Sequence, residues 1–481
     1  MSLLIKSGTI ITATETRQAD IYIEADKIVA IGSGLDIPNA EIVDASGKLV
    51  MPGGVDPHVH LDLPMFDTVS SDDYYSGGKA AAFGGTTTMI DFVPQIAFDQ
   101  NNLDVHRGGI ESGVETWHAK ADACAAIDFG FHMNISRMDE YVAAEIQQLP
   151  ALGITSLKVF MAYNGRLRLQ DGDIFRVLRS AKKADLLTLL HAENGDLIDI
   201  LVSEALAAGN TSPEWHAATR PGWGAVEAAL RGIALAAQAG AHLYLVHMNT
   251  AGEVDQLRYA RQHDLPVMGE TCPAYLFFTE DQLHRPDGAK WVCSPPLRTP
   301  VDIQALWQGL KDETLQTLAT DHCPFFFDGS IPIIYEGQAV SIPGKELGKA
   351  DFTKIPNGLP GIGDRLPILW TYGVRAGYLT PNQFVNLTST NPAKIFGLYP
   401  RKGALLPGSD ADFVIWDPQK RLTYGVNIAH HRTDYNLFEN WEVVGFPEKV
   451  FLRGRLIVDG NQWSGRAGMG QYLYRKTGIL V

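Results

Sequence analysis

The feature that most constrains this chain is an alternation running through its middle, from about Gly54 to Ala393. Eight apolar runs (VDPHVHL, TTTMIDFV, DFGFHMNIS, SLKVFMAY, LLTLLHAEN, LYLVHMN, PVMGETCP and LQTLATDHCPF) alternate with stretches of helical character. The helical stretches include YYSGGKAAAFGG, MDEYVAAEIQQL, DIFRVLRSAKKA, WGAVEAALRGIALAAQAG and AGEVDQLRYARQH. A strand that is apolar throughout has to be covered on both faces. Strands joined through helices run parallel. Eight such units predict an α/β fold, a TIM (β/α)8 barrel with enlarged loops over residues 54–393. A doubly wound open sheet is the alternative use of the same units, but no GxGxxG follows the first strand.

The two ends read differently. LLIKSGTII, ADIYIEADKIVAIG and EIVDASGKLVMPG near the start, and DADFVIWDP and KVFLRGRLIVDG near the end, are β-branched and punctuated by turns. Each cluster alone would leave an apolar face in water. Residues 1–53 and 394–481 are therefore expected to assemble one small β-sandwich. The tail GRAGMGQYLYRKTGILV is expected to be a subunit-contact arm. Residues 325–356 are too long for an ordinary connection and predict a lid or wall of a binding site.

Composition narrows the function classes. Lys and Arg number 40 against 55 Asp and Glu, a formal charge of −15, which argues against a nucleic-acid or anionic-membrane partner. No run of 18 apolar residues offers a membrane span. Cys124, Cys272, Cys293 and Cys323 are scattered without a disulfide pattern. MSLLIKSGTIITA has no basic start followed by an apolar run. Both point to a reducing, cytoplasmic setting.

Polar groups gather at the strand ends. His58 and His60 close the first strand, and their i, i+2 spacing turns both rings to one face. Lys158 lies on the fourth strand, His191 ends the fifth, His247 the sixth and Asp321 the eighth. Taken singly, each has an ordinary structural explanation. Together they fall at the end of the barrel where sites are built, and six such groups can hold two divalent metals. A bare ammonium at Lys158 would be costly to bury and would repel cations. Reaction with carbon dioxide would turn it into a carbamate able to bridge a metal pair and help activate water.

MPGGVDPHVHLDLP, GGTTTMIDF, SLKVFMAY, LLHAEN, LVHMN, ETCPAYL, SPPLR, ATDHCPF and DFTKIPNGLPG together resemble the cyclic amidohydrolases over almost the whole chain, and most of all the dihydropyrimidinase or hydantoinase group. The resemblance implies a hydrolase that opens dihydrouracil, dihydrothymine or 5-substituted hydantoins to N-carbamoyl amino acids. It implies two Zn2+ per subunit, replaceable by Mn2+ or Co2+, bridged by a carboxylated Lys158 (N6-carboxylysine) and a hydroxide. His58, His60 and Asp321 would hold one ion, and His191 and His247 the other. Tyr163 would stabilise the oxyanion, Ser294 and Asn357 would bind the ring through backbone groups, and Asp321 would carry the proton. A homotetramer is implied as well.

Among similar enzymes, dihydroorotase carries an Arg two residues after the second His. Here Asp62 stands there and would repel a substrate carboxylate. Allantoinase is the runner-up, opposed by the apolar Leu63, Met65, Phe66, Ile96 and Phe160 expected around the ring. The collapsin-response mediators share the resemblance but are non-enzymatic assembly proteins lacking several ligands, whereas all six are present here.

Overall fold

The computed structural model describes residues 2–65, 67–95 and 109–478. Its centre is an eight-stranded parallel sheet in sequential order: β1 (Gly54–Val59), β2 (Thr86–Val93), β3 (Asp128–Asn134), β4 (Ser156–Phe160), β5 (Leu187–His191), β6 (Leu243–Leu245), β7 (Val267–Thr271) and β8 (Thr317–Leu318). A parallel bridge between Val59 and His322 joins the last strand's end to the first. Every residue of these strands is buried, which is why they read as continuous apolar runs rather than alternating ones. The expected barrel is present, with each strand where the sequence puts it.

The helices form for legible reasons. In Asp171–Lys183 the buried residues are Ile174, Val177, Leu178 and Ala181, a single 3.6-residue stripe. Asp171 and Asp173 sit in its first turn and Lys182 and Lys183 in its last, complementing the helix dipole. Helix Ala251–Gln262 starts with a reciprocal capping box between Thr250 and Glu253. Helix Gly222–Ala239 stops at Gly240, whose φ of 64° suits glycine.

The chain ends meet as expected. Leu49–Pro52 pairs antiparallel with Phe413–Thr423, Phe413 opposite Pro52, inside a nine-stranded mixed sheet that draws five strands from the start and four from the end. A separate core of Leu3, Ile5, Ile21, Phe413 and Phe451 holds it. The Phe413 and Phe451 rings stack at 4.4 Å.

Between this sheet and the N-terminal end of the barrel lies a buried ionic junction. Lys402 Nζ is 2.5 Å from Asp128, 2.6 Å from Asp412 and 3.0 Å from Asp410. Arg453 also donates to Asp128. The tail is not a free arm over its described length. Leu473 packs with Val55, Ile90 and Leu189 beneath the barrel, and Arg475 donates to the Phe131 carbonyl and, at 3.0 Å, to Ser156 Oγ. Over these residues the tail serves the floor of its own barrel, while Tyr474 between them stays 68% exposed.

Residues 325–356 carry a hairpin, Ile333–Tyr335 with Gln338–Val340, and tight turns at Lys345–Gly348 and Phe352–Lys354. Glu336 at the hairpin tip takes hydrogen bonds from Lys79 at 2.6 Å and Tyr75 at 3.2 Å. Thr68 donates to the Pro343 carbonyl.

Candidate metal centre

The strand geometry decides which way the polar side chains point. His58 lies in β1 and His60 one residue beyond it, so the pleat aims both at the barrel axis. Lys158 points inward from the middle of β4, His191 is the last residue of β5, and His247 and Asp321 follow β6 and β8. The six predicted ligands therefore meet above one end of the barrel. Asp321 Oδ1 is 3.1 Å from both His58 Nε2 and His60 Nε2. Lys158 Nζ lies 3.1 Å from His58 Nε2, and His191 Nδ1 lies 2.9 Å from His247 Nε2. The His58 and His247 ring centroids are 5.5 Å apart, so the two groups are neighbours.

The chemistry of these atoms fits a cation pair. His58 Nδ1 donates to Glu270; burial and Lys158 pull this ring down, but Asp321 and Glu270 raise it above the usual imidazole range, while His191 Nε2 donates to Glu193 at 2.8 Å and turns its Nδ1 to the cluster. His191 Nδ1, the Asp321 oxygen and the nitrogens of the other imidazoles crowd one small volume, the nitrogen and oxygen donor set that a divalent metal such as zinc takes. His60, Asp321 and His58 carry ligand atoms within 4.8 Å of one another. His60 Nδ1 and His247 Nδ1 are buried without a hydrogen-bond partner.

Electrostatics point the same way. Burial pulls His60 down to about 4 and His247 well below the usual imidazole range, so both are neutral, the form that coordinates. Burial pushes the Asp321 carboxyl up, but His58 and His60 hold it well below the ordinary carboxylate range. Burial brings the Lys158 amine down to about 8 against the opposing pull of Asp321 and Glu270. Its Nζ also sits 4.3 Å from the Phe92 ring centroid.

Over this cluster opens a cavity of about 290 Å³. His60, Lys158, His191, His247 and Asp321 line it, while His58 is wholly buried behind them. Tyr163, Ser294 and Asn357 line it too, so the residues predicted for metal and for substrate share one chamber. Burial pushes the Tyr163 hydroxyl up and keeps it protonated. Asn357 Nδ2 donates to Ser294 Oγ at 3.1 Å. Three of these residues hold left-handed backbone, Tyr163 at φ 67°, His247 at 39° and Asp321 at 51°. Such conformations cost about 1–3 kcal/mol each and cluster where a fold fixes reacting groups.

Leu63, Met65 and Phe160 form part of the apolar wall, as expected. Phe66 and Ile96 lie outside the described residues. Asp62 does not line the chamber. It turns to Lys120, Nζ to Oδ2 3.0 Å, so the expected repulsion of a substrate carboxylate by Asp62 does not act inside the chamber, where Arg166 is among the lining residues. The expected wall segment 325–356 contributes no lining residue either. It stands behind the wall, against the loop at Thr68 and the strand of chain leading to Asn357. Sequence reasoning missed Glu193 and Glu270. The signals were there: an acid two residues from His191, and another inside the apolar strand VMGET.

Residues 49–457 match the amidohydrolase family. The chain is 45% identical over 485 residues to the D-hydantoinase of Geobacillus stearothermophilus, covering 100% of this chain and 98% of that protein. It is 40% identical to the D-hydantoinase of Streptomyces coelicolor, covering 98% of each. The crystal structure of dihydropyrimidinase from Brevibacillus agri NCHU1002 superposes with a TM-score of 0.93 at 46% identity, covering 100% of both chains.

Proposed function

The chain belongs to the amidohydrolase family, and from that premise we propose that it hydrolyses the ring of 5-substituted hydantoins and dihydropyrimidines, releasing N-carbamoyl amino acids. The observation that carries this reading is the meeting of His58, His60, Lys158, His191, His247 and Asp321 beneath a chamber faced by Tyr163, Ser294 and Asn357.

His58, His60 and Asp321 would hold one zinc ion and His191 and His247 the second, with Lys158 joining them as a carbamate. The Lys158 amine, lowered to about 8, supports that chemistry: its free-base form adds to carbon dioxide through nitrogen, and the proton leaves. Bound divalent metal would polarise the scissile carbonyl and lower the pKa of water to near neutrality.

The chain's own groups do the rest. Ser294 and Asn357 engage each other through their side chains, which leaves their backbone groups to hold the ring. The Tyr163 hydroxyl, kept protonated, donates to the oxyanion that forms on the attacked carbonyl carbon. Asp321, an ionised base flanked by histidines, takes a proton from the attacking water and returns it to the departing ring nitrogen. The wall of Leu63, Met65 and Phe160 suits hydrogen or an apolar 5-substituent better than the ureido group of allantoin. The names of the curated relatives support a D-configured hydantoin, and the resemblance supports a homotetramer in the cytoplasm.

Turnover of a 5-substituted hydantoin, dihydrouracil, allantoin and dihydroorotate, followed on one preparation, tests the reading. The first two should be opened, with loss of activity on chelation and recovery with zinc and bicarbonate. Tyr163→Phe should retain its metal and lose about 10²–10³ in rate. Faster turnover of allantoin would move the assignment to allantoinase. A protein without metal or ring-opening activity would be an assembly protein.

A further inference from the structure

Behind the chamber lies a lysine that the reaction does not use. Lys345, in the turn Lys345–Gly348, is 1% exposed. Its Nζ donates to the Val292 carbonyl at 2.9 Å and to the Pro356 carbonyl at 3.0 Å. Among the described residues no carboxylate holds it, and burial pulls the amine down to about 7. An uncharged amine has two N–H donors, the number of carbonyls it meets. A buried lysine is expensive, and apolar packing would be the ordinary occupant of such a place.

What the amine ties together explains its use. Val292 lies two residues before Ser294, and Pro356 immediately precedes Asn357. The Val292 carbonyl also takes the Gly358 N–H at 3.1 Å, so Lys345 caps the crossing of the two segments. The turn is wedged in place. A Cβ on Gly344 would stand 2.0 Å from the Phe326 carbonyl oxygen, and one on Gly348 would stand 2.5 Å from the Ile355 nitrogen. The Lys345 N–H donates to that same Phe326 carbonyl at 2.7 Å. Nζ therefore has little freedom to move, and neither do the two carbonyls.

We propose that Lys345 is a positioning residue that sets the spacing between Ser294 and Asn357, and so the grip on the ring, from outside the chamber. This deepens the proposed function and rests on its reading of Ser294 and Asn357 as the ring-binding pair. It also gives the long segment 325–356 its purpose, which is to deliver one amine to the back of the substrate wall.

The test is steady-state kinetics of the zinc-loaded full-length protein on hydantoin, with metal content and urea midpoint measured alongside. Lys345→Met keeps the length of the side chain and removes both donors, and should raise KM about tenfold, the worth of a misplaced hydrogen-bond pair, with kcat and metal content at wild-type values. Lys345→Gln, the second variant should Lys345→Met fail to fold, keeps an amide donor that cannot span both carbonyls, and should raise KM about three- to fivefold. Wild-type KM in the folded variants overturns the inference, as does a fall in kcat and urea midpoint at constant KM, which is what a purely structural lysine would give. Wild-type protein that opens no hydantoin overturns the functional reading and this inference with it, whereas an active wild type with unaffected variants overturns this inference alone.

Discussion

The two ends of the barrel bury ionisable groups to opposite purposes. At the N-terminal end, Lys402 and Arg453 face Asp128, Asp410 and Asp412, and charge meets opposite charge at hydrogen-bond distance. At the C-terminal end, Lys158 faces an imidazole, His191 faces His247, and the Nδ1 atoms of His60 and His247 meet no partner. The first arrangement is complete within the chain. The second has pairs of its own, Asp321 with His58 and His60, yet leaves buried ring nitrogens without a partner among the described residues. Barrel enzymes separate stability from chemistry along this axis, and here the separation is visible in which buried charges are paired.

The comparison breaks most sharply at Lys402. Lys402→Met leaves three aspartates of the junction short of a cation and should cost about 3–5 kcal/mol in urea unfolding. Turnover per folded molecule should not change. A variant that stays as stable as wild type would mean that the junction is not the anchor its geometry describes.

At the other end, Glu270→Gln tests whether the mouth is built for metal rather than for stability. The amide keeps the shape but weakens the hold on His58 Nδ1, so zinc affinity measured by competition with a chelator should fall about 10–100-fold. The melting temperature of the metal-free protein should stay near that of metal-free wild type. An unchanged affinity would take Glu270 out of the site.

The smallest effect is on acid stability. Burial pushes the Asp410 carboxyl up, but Lys402 and Lys27 hold it down at about 2. A group with its folded pKa depressed adds stability above its unfolded value near ~4, and that stability is lost as pH falls through the folded value. The melting temperature should therefore drop between about pH 4 and 2, and Asp410→Asn should flatten that part of the profile. A drop confined to higher pH would place the acid-sensitive groups elsewhere.

Legibility in the sequence follows the same division. The eight barrel strands were readable because strands buried on both faces write themselves as apolar runs, and the six candidate ligands because each breaks such a run, Lys158 in mid-strand and the others toward the strand end. The pairing of the chain ends followed from the need to cover apolar faces. Glu193 and Glu270 went unread because a second layer of acids has no spacing rule of its own. The floor contacts of the tail and the placement of the segment 325–356 behind the wall were not legible because they rest on residues far apart in the chain: Arg475 under Phe131, and Lys345 on Val292 and Pro356. No local pattern encodes such a meeting.

The pairing of Leu49–Pro52 with Phe413–Thr423 has a consequence for how the protein is born. About 360 residues separate the partners (413 − 52 = 361), so at ~5–20 residues per second a ribosome holds the first strands without their neighbours for tens of seconds. During that interval the leading hairpins carry a bare edge, and the barrel must ripen between two halves of an unfinished sheet. Translation speed and chaperone attendance over the opening fifty residues should therefore govern yield more than any change made in the barrel itself.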